Sequence, residues 1–194
     1  MTTHLVRVVV ALLLLAGVAS AQTAQEVAAL RKQAQAGDAA SQVSLGRMYL
    51  NGEGVPLEMS QGVMWLGKAA DQGHPHAQYL LGVLYAAGSS VPKDERTALS
   101  WFSKAATQGY VSAQVFLGAI YAKGTNDVTR NPVTAYTWWS AAAVGATAAN
   151  DAEMAVLVTK QRDTLATTMT AEQITKADKL AKQYQALFDS RKQK

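Results

Sequence analysis

The segment Ala77-Gln78-Tyr79-Leu80-Leu81-Gly82-Val83-Leu84-Tyr85 returns 36 residues later as Ala113-Gln114-Val115-Phe116-Leu117-Gly118-Ala119-Ile120-Tyr121. It stands 36 residues earlier as Ser41-Gln42-Val43-Ser44-Leu45-Gly46-Arg47-Met48-Tyr49. Gly52, Gly88 and Gly124 keep the same period, and Gly37, Gly73, Gly109 and Gly145 mark the joins. Self-similarity at a fixed spacing of this length is the signature of a repeat architecture, in which each unit buries its apolar face only against its neighbours.

Each unit reads as two helices. Ser41, Leu45 and Met48 share one helical face, as do Ala77, Leu81 and Leu84, and Ala113, Leu117 and Ile120. That face is the predicted core. Gly46, Gly82 and Gly118 lie inside these helices, where glycine costs about 1 kcal/mol relative to alanine, so close helix approach is expected to offset it. Gly52-Glu53-Gly54-Val55-Pro56 and Gly88-Ser89-Ser90-Val91-Pro92 stop the first helix and turn the chain. Asp94, and Asn131 followed by Pro132, then supply N-caps for second helices. Trp65 matches Trp101, and Lys68-Ala69-Ala70 matches Lys104-Ala105-Ala106, with Trp65, Ala69 and Ala70 on the predicted buried side. In the third unit the loop Gly124 to Pro132 is one residue longer, so Trp138 falls 37 residues after Trp101. The shorter turn before Gly145 restores the phase.

The ends differ. His4 and Arg7, the apolar run Val8 to Ala16 and the small residues Ala19-Ser20-Ala21 read as a secretory signal peptide cleaved after Ala21, which leaves Gln22 first and no stable membrane span. Thr23-Ala24-Gln25-Glu26 is a capping box opening a helix that ends at Gly37, and Thr170-Ala171-Glu172-Gln173 opens the last one. Ile174, Ala177, Ala181, Tyr184 and Phe188 fall on one face of that helix. The expected organisation is therefore a signal peptide at 1–21, an N-terminal capping helix at 22–36, three repeats at 37–145 and C-terminal capping helices at 146–194. The predicted fold class is all-α, an α-solenoid of three 36-residue helix-turn-helix repeats with helical caps at both ends.

Composition excludes several functions. With 49% hydrophobic and 16% charged residues the chain is globular, and its formal charge of +4 comes from scattered and partly terminal residues, as in Arg191, Lys192 and Lys194. No basic patch or nucleic-acid motif accompanies it, so nucleic acid is not an expected partner. The chain has no cysteine, which removes disulfides, thiol chemistry, thiolate metal sites and lipidation of an N-terminal Cys. His74-Pro75-His76 lacks further ligands at metal spacing. The serines lack a nucleophile elbow and the glycines follow the repeat rather than a phosphate loop. Asp94 and Glu95 are accounted for by a cap and the helix dipole. No catalytic residue, metal or cofactor is predicted.

Ala-Gln-x-x-Leu-Gly-x-x-Tyr (Ala77 to Tyr85), the Gly-x-x-Val-Pro loop, Trp-x-x-Lys-Ala-Ala (Trp101 to Ala106) and Gln-Gly before the next unit resemble the Sel-one-like repeat family, relatives of tetratricopeptide repeats. The resemblance covers Asp38 to Gly145, and the stretch Arg162 to Ile174 is similar to the tail of bacterial members. Ser41 for Ala, Gly62 where Ala98 and Ala135 stand, and the loop Thr125 to Arg130 depart from the pattern. Some exported relatives carry one disulfide per repeat, and their properties do not transfer to this cysteine-free chain. The resemblance implies a right-handed α-superhelix whose concave surface binds a protein or peptide, in an exported bacterial protein of the periplasm or the outside medium. Alternatives are an inhibitor or immunity-type protein that blocks an envelope enzyme and, with less support from the residues, a cell-envelope hydrolase.

Positions that do not repeat their residue on the first helices fall on a stripe apart from Leu45 and Met48: Val43, Tyr79 and Val115; Arg47, Val83 and Ala119; Leu50, Ala86 and Ala122. By resemblance this stripe lines the concave surface, with His76 on its border. The expected partner-binding residues are Val43, Arg47, Leu50, His76, Tyr79, Val83 and Val115, against the bland alternative that Val83 and Val115 only pack on the adjoining unit.

Overall fold

The structure, a computed structural model, describes residues 24–192; the expected signal peptide, its expected cleavage after Ala21 and Thr23 of the expected capping box lie outside them. The described residues are helical, with no strand among them, and the fold class is the all-α repeat type of the solenoid proteins. Helix α1 spans 24–35. It is followed by α2 (Ala39–Asn51), α3 (Met59–Asp71), α4 (Pro75–Ala87), α5 (Glu95–Ala106), α6 (Val111–Lys123), α7 (Pro132–Ala148), α8 (Ala152–Ala166) and α9 (Ala171–Lys192). Two compact units are present, one ending at Gln72 and one beginning at Gly73.

The first unit holds α1, α2 and α3. The Asp38 carboxylate caps α2 by accepting from the Ser41 N–H at 2.7 Å. Gly52, at φ 70°, ends that helix in the left-handed conformation that glycine adopts without a Cβ penalty. Ala34, Leu45, Tyr49, Val55 and Trp65 form the core, with Val27, Leu30 and Met48 around it. Leu66 packs on the bare backbone of Gly46, its Cγ 3.0 Å from where a Cβ would stand.

The second unit holds α4 to α9, and here the same device recurs with larger side chains. Phe102 of α5 lies on Gly82 of α4, its Cδ1 2.6 Å from the missing Cβ, and the Trp139 indole of α7 fills the equivalent notch at Gly118 of α6. Leu66, Phe102 and Trp139 each follow the periodic tryptophan in sequence, and each is buried. Trp65 and Trp138 are buried as predicted, but Trp101 is only half-buried. Its ring and that of Trp65 instead carry the ammonium of the lysine one turn on, Lys104 at 4.0 Å and Lys68 at 4.3 Å from the ring centres. Trp-x-x-Lys thus makes a cation–π contact in the first two repeats, and the residue after each tryptophan packs on the glycine.

Gly145 was expected to break the chain, as its counterparts do, but α7 runs through it to Ala148. The left-handed turn has moved to Asn150, φ 57°, a residue type that tolerates it. Gly145 remains useful as a close approach, since a Cβ there would stand 2.8 Å from Val111 Cγ2. This shift breaks a hydrogen-bond pattern. Gln72 donates to the buried Gln42 side-chain oxygen at 2.7 Å, and Gln108 to Gln78 at 2.8 Å. Seven residues after Trp138, where Gln72 and Gln108 follow Trp65 and Trp101, the third unit has Gly145 and no side chain to offer, and Gln114, which donates to Ala106 O at 3.2 Å, keeps its own Oε1 buried and without a partner. An orphaned acceptor costs roughly 1–3 kcal/mol.

At the C-terminal end Thr170 and Gln173 cap each other's backbone, the Thr170 N–H reaching Gln173 Oε1 at 2.9 Å and the Gln173 N–H reaching Thr170 Oγ1 at 3.2 Å. Helix α9 buries Ala177, Ala181 and Phe188, and Tyr184 stacks on Trp138 at 4.5 Å.

Candidate partner-binding site

The second unit presents a run of aromatic rings along α4 and α6. His76 of α4 stacks on Tyr110, the residue that precedes α6, with centroids 5.8 Å apart and planes at 18°. Tyr110 meets Tyr79 at 5.3 Å, and Tyr79 meets Phe116 edge-on at 5.7 Å. Behind them the fully buried Phe102 stacks on Phe116 at 5.1 Å and 19°. Phe116 itself is 41% exposed. A large aromatic that is held from behind yet open to solvent is a pre-organised anchor point. Burial raises the Tyr79 pKa.

Of the residues singled out by sequence, His76 and Tyr79 belong to this run. Val83 packs against the core cluster around Phe102 and Leu117. Val115 packs against the cluster around Trp139 and Val158, and its carbonyl accepts from the Trp139 indole at 3.3 Å. In the first unit Arg47 is exposed, Val43 is buried at 5% exposure, and Leu50 fits over Gly62 to bind α2 to α3. Val43 therefore offers little to a partner. Sequence reasoning passed over Tyr110 and Phe116. The signal was there, because positions 44, 80 and 116 also vary, as Ser44, Leu80 and Phe116.

The remaining polar groups hold the fold. His74 caps α4, its Nδ1 accepting from the Ala77 N–H at 3.4 Å. Asp94 caps α5 by accepting from the Arg96 and Thr97 N–H groups at 3.0 Å, which holds its carboxyl below the usual range. Lys93 pairs with Glu95 at 2.8 Å and, with Thr125, keeps that carboxyl ionised. Arg96 pairs with Asp127 at 3.0 Å. Among the described residues no three His, Asp or Glu side chains converge at metal-binding range. No described helix is long and apolar enough to cross a membrane.

Comparison with known families matches the Sel1 repeat three times, at residues 39–74, 75–110 and 111–143. Comparison with curated proteins gives no match. Among solved structures the chain is similar to a protective antigen of uropathogenic Escherichia coli strains displaying an SLR fold, with 33% identity and a TM-score of 0.70 over 87% of this chain and 35% of that one. The chain thus spans about a third of that antigen's length. It is also similar to a Sel1 repeat protein from Oxalobacter formigenes, with 35% identity and a TM-score of 0.61 over 70% of this chain and 98% of that one.

Proposed function

From the premise that the chain belongs to the Sel1 repeat family, whose repeats mediate protein–protein interaction, we propose that it is an exported scaffold, not an enzyme, that holds a protein or peptide partner on the α4 and α6 face. The observation that carries this reading is the ring run His76, Tyr110, Tyr79 and Phe116, with Phe116 41% exposed and braced by Phe102. Aromatic side chains on a rigid helical surface supply large contact area at small entropic cost. The acids nearest to hand support it too, being engaged as caps and ion pairs. Export rests on the basic start, the apolar run Val8 to Ala16 and the small-residue site at Ala21, and places the partner in the periplasm or outside the cell.

The test uses the mature chain as bait on an envelope extract, followed by affinity measurement with the partner it retains. Tyr79→Ala with Phe116→Ala is expected to weaken that binding by about 2 kcal/mol or more, the range of interface anchors, with helical content by circular dichroism unchanged. Arg47→Ala, at the exposed first-unit position, is the separate arm that asks whether the first unit takes part. Equal affinity in the Tyr79 and Phe116 double variant, with the fold intact, would show that partners dock elsewhere.

A further inference from the structure

Helices α7, α8 and α9 border a cavity of about 250 Å³ whose lining includes Ser140, Val144, Arg162, Asp178, Ala181 and Lys182. This is below the roughly 300–1,000 Å³ of pockets for drug-sized molecules, and suits a ligand the size of one amino-acid residue. Ser140 is 9% exposed, and its hydroxyl is buried without a hydrogen-bond partner. On the same helix Thr137 donates back to the Val133 carbonyl at 2.8 Å and Thr147 to that of Ala143 at 2.9 Å, the usual resort of a helical hydroxyl. Ser140 makes no such bond and lines the cavity.

The cations around it are incompletely paired as well. Arg162 donates through Nε and Nη2 to Asp163 Oδ1 at 2.9 and 2.7 Å, and its guanidinium lies 5.8 Å from the Tyr136 ring centre. These contacts fix the planar fork and leave its other N–H groups for a ligand. Lys182 forms no ion pair among the described residues. Asp178 stands four residues before it on α9, the spacing at which acid and base pair on a helix. That carboxylate lies instead beside the Tyr136 hydroxyl of α7, whose pKa is raised by burial first and by Asp178 second.

Donors in excess of acceptors around so small a cavity favour an anion, and Asp178 on its wall decides which. A dianion such as phosphate is repelled by that carboxylate, whereas a single carboxylate flanked by an N–H satisfies both signs. We propose that the cavity between α7, α8 and α9 binds an α-carboxylate together with the N–H beside it, as carried by the C-terminal residue of a peptide and by a free amino acid. Arg162, Lys182 and Ser140 donate to the carboxylate, Asp178 accepts from the N–H, and Val144 and Ala181 meet a small aliphatic side chain. The assignment is independent of the α4 and α6 face.

The test titrates the full chain with acetyl-trialanine bearing a free carboxylate, the same peptide ending in an amide, free alanine, and inorganic phosphate. Backbone amide NMR shifts locate the binding, and their concentration dependence gives the affinity. The free-acid peptide, free alanine or both are expected to shift the amides around Ser140, Arg162 and Lys182, and which of the two binds more tightly identifies the source. The amidated peptide is expected to bind at least about tenfold more weakly than the free acid. Lys182→Gln is expected to weaken binding about tenfold and Ser140→Ala roughly threefold, the losses of one charge-assisted and one neutral hydrogen bond, with helical content unchanged. An amidated peptide that binds as well as the free acid overturns the assignment. Phosphate binding at these amides as tightly as either carboxylate overturns it, as does silence of all the probes there. Binding that neither substitution alters overturns it too.

Discussion

Phe102→Ala is expected to destabilise the protein by about 3–5 kcal/mol, the cost of emptying a buried aromatic site, seen as a fall in Tm of roughly 10 °C for a chain of this size. Phe102 is fully buried, and its ring spans the interval between the backbone of Gly82 and the ring of Phe116. Truncation therefore removes apolar burial, opens a cavity against α4 and withdraws support from the exposed anchor at once. The contact with Gly82 gives a sharper form of the experiment. In the native chain Gly82→Ala pushes a Cβ to 2.6 Å from Phe102 Cδ1, an overpacking worth roughly 1–3 kcal/mol. In the Phe102→Ala background that clash is gone, and alanine is the better helix former by about 1 kcal/mol. Gly82→Ala should change from destabilising to stabilising between the two backgrounds. The same sign in both would disprove the notch.

Leu81→Ala should cost about 2–5 kcal/mol, as for a core leucine that leaves a cavity. Leu81 is 3% exposed on α4 and stands at the position that Leu45 and Leu117, both fully buried, hold in the other units. Since each helix pair in a repeat array buries its apolar face only against neighbours, the loss should appear in hydrogen exchange of α5 and α6 as well as α4. A melting temperature that barely moves would remove Leu81 from the core.

The 36-residue period, read from glycines, Leu-Gly pairs and tyrosines, was enough to determine the fold class, the two-helix unit, the first-helix core face and most of the caps. These rest on local physics that repeats: a left-handed residue needs glycine at Gly52 and Gly88, an N-cap needs a short polar side chain at Asp94 and Asn131, and a buried face needs spacing of three and four. The last helix was equally legible, from the Thr170 and Gln173 box to the buried face ending at Phe188.

Other features were decided only by the tertiary structure. The deepest position of the second helix is held by Leu66, Phe102 and Trp139, three different residues, so a search for repeated identity passes over it and settles on the tryptophan beside it. Only the fit of each side chain onto a glycine across the helix pair shows what the position does: the glycine notch is constant, and Leu66, Phe102 or Trp139 fills it. The extension of α7 past Gly145 was hidden for a related reason, because a glycine can serve either as a turn or as a close approach, and the contact with Val111 determines which. On the candidate face, period and variability brought out His76 and Tyr79 but ranked Val43, which is buried, beside Arg47, which is exposed. Tyr110 joins the face from the loop before α6, and Phe116 leans out from a helix that is apolar all round. A helix without a polar side carries no sequence signal for which of its faces meets water, so that choice belongs to the packing of α5 and α7 against it.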